Sequence, residues 1–503
     1  MGIKRYFASQ DNTITNALKA NLTDSGSLAN MGAADILETF VIHGQSTASV
    51  SQAPSANNAK IAEQTRFLIQ FPISDIQADI TASSLPNVSS SVQYYLNLYN
   101  APHGSSTPLS YSLDINMVSK AWNEGRGLDM DNYTDLGASN WVSSSQGVKW
   151  SKTGGDFLKG PNTSASFFFA SGLENMKVDI SQQVYKWLNG TANHGLLIRF
   201  PDSIVSGSET MYTKKFFSRT SEFYLYRPTI EARWDSTRRD DRANFFISSS
   251  MAPSADNLNT LFLYNHIRGQ LTNIPNLAGN KLSLSVYSGS NGPNPSGILT
   301  LTDAAGASKT AIEAGLLVEN GAAMTGIYTA SFASKSKLNT VYDVWFNGLG
   351  ASRVEFKTGS YEPIPLDTLN HIDTSSYITT ITNLKSSYPK GQKPTLRVFV
   401  RDKNWSPNIY NIATSKTLPH IIENAYYKIS RTIDGMDVIP YGTGSAVNNY
   451  SRLSYDGEGN YFSLDTSFLD PGYAYNINFC FYENGSYIEQ PETFKFRIEE
   501  DVK

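Results

Sequence analysis

Three carboxylates offer the best spacing for a metal in this 503-residue chain: Asp129, Asp131 and Asp135, in the run Asp129-Met130-Asp131-Asn132-Tyr133-Thr134-Asp135. Acids at alternate or near-alternate positions can turn oxygens inward around calcium. The run lacks the glycine and the distal glutamate of an EF-hand loop, so the competing reading is a solvated acidic turn. Calcium is the one cofactor the sequence suggests. The six histidines, His43, His103, His194, His266, His371 and His420, include no two spaced three or four apart, which excludes a helical zinc pair. The nearest approach to a hydrolase nucleophile elbow is Gly44-Gln45-Ser46-Thr47-Ala48, where alanine replaces the second glycine, and Ser46 reads as a loop serine. Gly442-Thr443-Gly444-Ser445-Ala446 lacks the third glycine and the strand-helix setting of a dinucleotide loop. Glu124 and Asp156 are a conceivable pair for glycoside hydrolysis, but that chemistry depends on a spatial separation, and a structural role is expected for both. The residues therefore point away from an enzyme.

Tryptophans carry the other candidate chemistry, since an exposed indole face can stack on sugar. Trp122, Trp141, Trp150, Trp187 and Trp234 fall in the first half of the chain. Trp122, Trp187 and Trp234 are expected in a core. Trp141, in the serine-rich Ala138-Ser139-Asn140-Trp141-Val142-Ser143-Ser144, is the candidate carbohydrate-binding residue.

The elements that must position these residues read as strands. Phe67-Leu68-Ile69-Gln70-Phe71, Val92 to Tyr99 and Phe223-Tyr224-Leu225-Tyr226 are short apolar or alternating runs rich in aromatic and β-branched residues. A helix is expected over Val178–Leu188, with Val184, Trp187 and Leu188 on one face and Asp179 or Ser181 as cap. A second, weaker helical pattern runs from Ser308 to Leu317. The fold class is all-β.

Length suggests about three domains. The charged run Asp235 to Arg242 reads as a solvated linker, and the paired prolines Pro363 and Pro365 mark a second boundary. Expected domains are 1–235, a jelly-roll sandwich, then 236–363 and 364–503, two smaller β-sandwiches of Ig-like type. Asp434-Gly435, Asp456-Gly457 and Asn484-Gly485 are tight-turn dipeptides in the last of these.

Net charge is −4, and that balance does not describe a nucleic-acid coat. Cys480 is the only cysteine, so no intrachain disulfide and no cysteine-ligated metal centre can form, and it is expected as a small buried strand residue. No stretch approaches the roughly 18 apolar residues of a membrane helix. The opening MGIKRYFASQ has no apolar leader segment, so the chain is expected to be made in a reducing cytosol.

Residues 11–234 resemble the DNRLRE family, jelly-roll domains related to carbohydrate-binding modules. The resemblance runs through Asn30-Met31-Gly32-Ala33-Ala34-Asp35-Ile36-Leu37-Glu38-Thr39-Phe40, Arg66 to Pro72, Ala121-Trp122-Asn123-Glu124-Gly125 and Val178-Asp179-Ile180 with Trp187. It continues in Asn193 to Ile198 and closes on Phe216-Phe217-Ser218-Arg219 and Arg227-Pro228-Thr229-Ile230-Glu231. It implies a jelly roll without fixing a ligand. In the closing block, Arg219 is expected to hold a carboxylate or backbone carbonyls, with Glu222 three residues on.

The segments Arg5 to Asn16, Tyr455 to Tyr475 and Gln490 to Phe496 look like virion structural proteins of contractile-tailed phages, especially the cyanophage type. That resemblance implies assembly in the host cytoplasm, residence in the virion, and other virion proteins as partners in a symmetric, multi-copy assembly. The expected function is a structural virion component at the neck, head surface, tail or baseplate. The alternative is a virion adhesin that holds host surface glycan through the jelly roll. Neither reading calls for nucleic acid or membrane as a partner.

Overall fold

The computed structural model describes residues 2–21, 24–43, 63–87, 91–103, 108–135, 137–207, 211–249, 252–348, 352–363, 377–403, 405, 419–443, 449–483 and 485–500. Ser46 and residues 444–446 of the glycine-rich stretch lie outside them. The described chain is nearly all β and divides into two compact units, Ile3–Trp234 and Asp235–Lys503 with Met1–Gly2.

Among the described residues, the first unit has thirteen strands. They are β1 (Ile3–Phe7), β2 (Gln10–Thr15), β3 (Ile36–Ile42), β4 (Glu63–Gln70), β5 (Gln93–Leu98), β6 (Tyr111–Met117), β7 (Ser143–Ser145), β8 (Val148–Lys149), β9 (Ser164–Phe169), β10 (Met176–Asp179), β11 (Leu196–Arg199), β12 (Met211–Phe217) and β13 (Thr229–Arg233). One sheet runs β1-β13-β5-β10 and the other β12-β3-β4-β11-β6-β9, with β2 also paired to β4. The antiparallel pairs β6–β9, β5–β10, β4–β11, β3–β12 and β1–β13 are nested one inside the next. A long hairpin ribbon wrapped across two sheets produces this order, which is the jelly roll. Its main core lies between the sheets, with Phe67, Ile69, Leu96, Ile115, Ile198, Phe216, Ile230, Trp187 and Trp234.

Among the described residues, three α-helices accompany the sandwich: α1 (Ile73–Thr81) and α2 (Ser181–Leu188), which touch each other, and the one-turn α3 (Asp202–Val205). The expected helix forms over a shorter span, because Val178 stays in β10. Val184 and Trp187 are buried from α2, and the Asp179 carboxylate accepts the Ser181 N–H at 2.8 Å. Helix α1 was not anticipated, although Ile73 and Ile76 bury one face directly after Pro72. The weaker pattern at Ser308–Leu317 is corrected. Ser308–Lys309 and Ile312–Glu319 are strands, and Ile312 and Ala314 face a core with period two.

In the second unit, six strands pair in the order Asn259–Tyr264, Ala322–Phe332, Ile312–Glu319, Leu282–Ser288, Val341–Asn347, Val354–Tyr361. The strand Ile312–Glu319 serves both halves. Its first residues pair with Leu282–Leu284 and its later ones, from Gly315, with the partner strand ending at Phe332. Leu261, Leu284, Tyr328, Phe332 and Trp345 from both halves share one core. The C-terminal part packs a four-stranded sheet against a six-stranded one, and Tyr427 stacks on Phe462 at 4.3 Å between them. Gly435 has φ +67°, which suits the expected turn between Ala425–Arg431 and Asp437–Ile439. Cys480 is buried on the strand Ala474–Glu483.

The charged run at 235–242 is not the solvated linker its composition suggests. Asp240 is buried, and Arg242 forks between Asp240 (2.6 Å) and the fully buried Asp343 (2.8 Å). Trp345 Nε1 donates to the same Asp343 carboxylate at 2.7 Å. Gly359 leaves the space that Asp343 needs, since a Cβ there would lie 2.6 Å from its Oδ1. Burial raises the Asp240 carboxyl to about 6. Removing one member of such a buried group strands the other's charge. Asp343→Ala is therefore expected to destabilise the second unit by about 3–5 kcal/mol in urea unfolding followed by tryptophan fluorescence. A loss below about 1 kcal/mol would mean that the pair behaves as surface charge.

Candidate functional site

In the first unit, Leu68 of β4 and Leu197 of β11 point away from the main core, opposite Phe67 and Ile198. Such an outer face must be covered, and the long excursion between β6 and β9 covers it. Ile14, Leu68, Val118, Trp122, Trp141, Trp150 and Leu197 form a second core there. The indole N–H groups are satisfied: Trp122 donates to the His194 carbonyl and Trp150 to the Asn140 carbonyl, each at 2.8 Å. Two buried asparagines pin the cover to the sheet. Asn12 donates to Ser139, and Asn30 donates to the Glu124 and Ser139 carbonyls while accepting the Gly32 and Gly127 N–H groups.

Trp141 is a member of this core at 7% exposure, with the Arg66 guanidinium over its ring at 5.0 Å. It is not an exposed sugar platform, and its polar neighbours Ser139, Asn140 and Ser144 are buried as well. Trp122, Trp187 and Trp234 are all buried as expected, although Trp122 belongs to the outer-face core.

Asp129, Asp131 and Asp135 do not converge. Asp129 accepts the N–H groups of Asp131 and Asn132, Asp131 accepts that of Ala20, and Asp135 accepts that of Gly137. Asp129 and Asp135 thus close local turns, and Asp131 ties this loop to the segment at Ala20. Among the described residues, no group of three or more carboxylate, histidine or cysteine side chains gathers to hold a metal.

Glu124 and Asp156 are both engaged structurally. Asp156 accepts the Ser151 and Lys152 N–H groups at 2.7 and 2.9 Å. Glu124 receives the Arg219 fork, Nε and Nη2 each at 2.6 Å, and also the Asp11 N–H at 2.8 Å. The Arg219 N–H in turn donates to Asp11 Oδ2 at 2.7 Å. Arg219 thus holds a carboxylate, as expected, but one from 95 residues away and not its neighbour Glu222. The lock ties the closing block to the cover and to β2. Its side chains remain partly exposed, 32% for Arg219 and 16% for Glu124.

Exposed apolar side chains are scattered over both units, and some lie at sheet edges. The strand Val354–Tyr361 ends the six-stranded sheet, and no described residue pairs with its outer side. Val354 is 56% and Phe356 39% exposed on it, with Glu355 and Lys357 interleaved. The Ser486–Glu489 strand carries exposed Tyr487 and Ile488 beside Tyr482.

No family profile and no curated protein matches the chain. Among solved structures, a DUF4785 family protein from Legionella pneumophila is similar at 10% identity over 81% of this chain and 82% of that chain, with a TM-score of 0.13.

The Asp11 carboxyl is pushed up to about 7, first by burial and then by the Glu124 charge, against its bond to the Arg219 backbone. A raised folded value means that the native state holds this proton more tightly than the unfolded chain does. The associated stability is full below the unfolded value near 4 and is lost as pH rises through about 7. Asp11→Asn should flatten that decline by a few kcal/mol in urea titrations between pH 4 and 8. Asp240 adds a parallel slope, so the Asp11 contribution is the difference between the wild-type and variant curves. Superimposable slopes would show that Asp11 is ionised throughout.

Proposed function

We propose that the chain is a non-enzymatic structural component of a tailed-phage virion that acts through protein–protein interfaces. The observation that carries this reading is the edge strand Val354–Tyr361, which presents unpaired backbone and two exposed apolar side chains. Such an edge is a template for strand addition by another chain. Glu355 and Lys357 place alternating charge along it, which disfavours indiscriminate pairing and favours a partner of matching charge. The resemblance of the N- and C-terminal segments to virion proteins supports the same reading, with neck, head-surface and tail positions all compatible. A second reading, an adhesin that holds host carbohydrate through the jelly roll, is favoured by a cationic cavity on the first unit.

The test is quantitative mass spectrometry of purified particles from the encoding phage. The chain is expected in every particle in multiple copies. The double variant Val354→Lys, Phe356→Lys is expected to keep its unfolding midpoint, because both side chains are exposed, yet to fall at least about tenfold in incorporation, as a loss of roughly 1.4 kcal/mol or more at the interface requires. Absence of the chain from particles would overturn the virion reading. Unchanged incorporation would remove this edge from the interface.

A further inference from the structure

Arg66 and Arg199 lie on the same outer face as Leu68 and Leu197. The register Ile198↔Phe67, carried one residue further, sets Arg199 opposite Arg66 on neighbouring strands. Like charges directly opposite across an antiparallel pair repel. Both arginines are also more than nine-tenths buried. Arg66 has only neutral hydrogen-bond partners: Nη1 donates to the Gly154 carbonyl at 2.9 Å, and Nε and Nη2 donate to Gln64 Oε1 at 3.3 and 3.0 Å. Burial and the Arg199 charge together push Arg66 down to about 10. Arg199 donates from Nη1 to Asp202 at 2.5 Å, and its Nη2 lies 3.8 Å from Asp114. Its buried Nε has no hydrogen-bond partner.

These two side chains line one cavity of about 450 Å³, together with Lys152, Lys159, Ser119 and Phe157. The exposed lysines have no carboxylate within ion-pair distance among the described residues. Asp156 also lines the cavity, but its oxygens are held by the Ser151 and Lys152 amides. Four cationic side chains therefore meet three carboxylates, Asp114, Asp156 and Asp202, and Arg66 and the two lysines have no ion-pair partner among the described residues. Gly154 lets the wall close on the site, since a Cβ there would lie 2.8 Å from the Trp141 ring and 3.0 Å from Arg66 Nη1.

We propose that this cavity binds the oxyanion of a small polar molecule, specifically the carboxylate of an acidic sugar. An oxyanion answers the Arg66 charge, which only neutral groups hydrogen-bond, and arginine forks suit its geometry. The volume lies within the range of small-molecule pockets and exceeds what an inorganic ion fills. Ser119 and Ser151 line the remaining space with hydroxyls suited to a sugar ring, and Phe157 offers an apolar wall. This assignment concerns the first unit alone and does not depend on the virion interface.

The experiment is isothermal titration calorimetry of the full chain at low ionic strength with glucuronate, glucose and sulfate as separate ligands. Saturable glucuronate binding that weakens with salt, with no binding of glucose, is expected. Arg199→Gln should weaken it by at least about tenfold, the loss of one charge-assisted bond. Should that variant fail to fold, the double variant Lys152→Gln, Lys159→Gln alters only exposed side chains. It should keep the wild-type unfolding midpoint while weakening glucuronate by about fivefold or more. Sulfate binding without glucuronate binding would overturn the sugar and assign the cavity to free oxyanions. Equal affinity for glucose, or no saturable binding of any of the three, would overturn the proposal outright. A chain present in particles but silent in these titrations would lose the cavity assignment and keep the virion reading.

Discussion

Strands β4 and β11 have no solvent-facing side, and much of the first unit follows from that constraint. Phe67, Leu68, Ile69, Leu196, Leu197 and Ile198 are all fully buried, so apolar side chains leave the sheet on both faces. The second sheet of the jelly roll covers one face. The other needs a cover made from irregular chain, whose backbone groups must be satisfied without a regular ladder. Asn12 and Asn30 supply those partners, and Trp122, Trp141 and Trp150 supply the apolar area. The cover is held laterally by the Arg219–Glu124 fork, a charge-assisted pair that spans distant parts of the sequence.

The apolar run Phe67-Leu68-Ile69 announced this arrangement, because a strand buried on both faces loses its alternation. The all-β class was legible for the same reason, since short apolar runs with turn residues between them leave little room for helices. Single positions were harder. Trp141 sits among serines and asparagines, and local polarity suggested exposure. Its burial depends on Arg66, 75 residues earlier, and on the glycine turn at Gly154, neither of which composition reveals. Ser308–Leu317 carried enough apolar residues for either period, and pairing with Leu282–Leu284 decided for strand. The carboxylates of Asp129, Asp131 and Asp135 had the right spacing along the chain, but Asp129 and Asp135 accept local amides and Asp131 accepts that of the distant Ala20.

The second unit shows the same competition between local pattern and distant partner. A run of mixed charge is solvated by default, yet Arg242 reaches Asp343, about a hundred residues later, and Trp345 completes the polar group. Two distant segments thereby meet at one buried ionic cluster. Its members sit at the start of the unit and on its central sheet, so the cluster joins the chain's entry into this unit to the core made by Leu284, Tyr328 and Trp345. The sequence reveals such a cluster only as unexplained charge beside apolar strands.

The cover and the cationic cavity share one construction. The Arg66 guanidinium lies over Trp141 and that of Arg199 over Phe157, each at 5.0 Å, so each gains an aromatic face. That contact offsets part of the desolvation penalty without neutralising the charge. A buried cation stabilised by a ring keeps its field, whereas one stabilised by a carboxylate does not. Arg5 and Arg233 show the contrast in the same unit. Both surround the buried Glu231, whose carboxyl is held down at about 2, first by the Arg5 charge and then by that of Arg233, despite its burial. The molecule thus pairs its buried arginines with a carboxylate where they serve the sheet. At β4 it leaves Arg66 without a carboxylate, in the wall of a cavity, beside an Arg199 that has two.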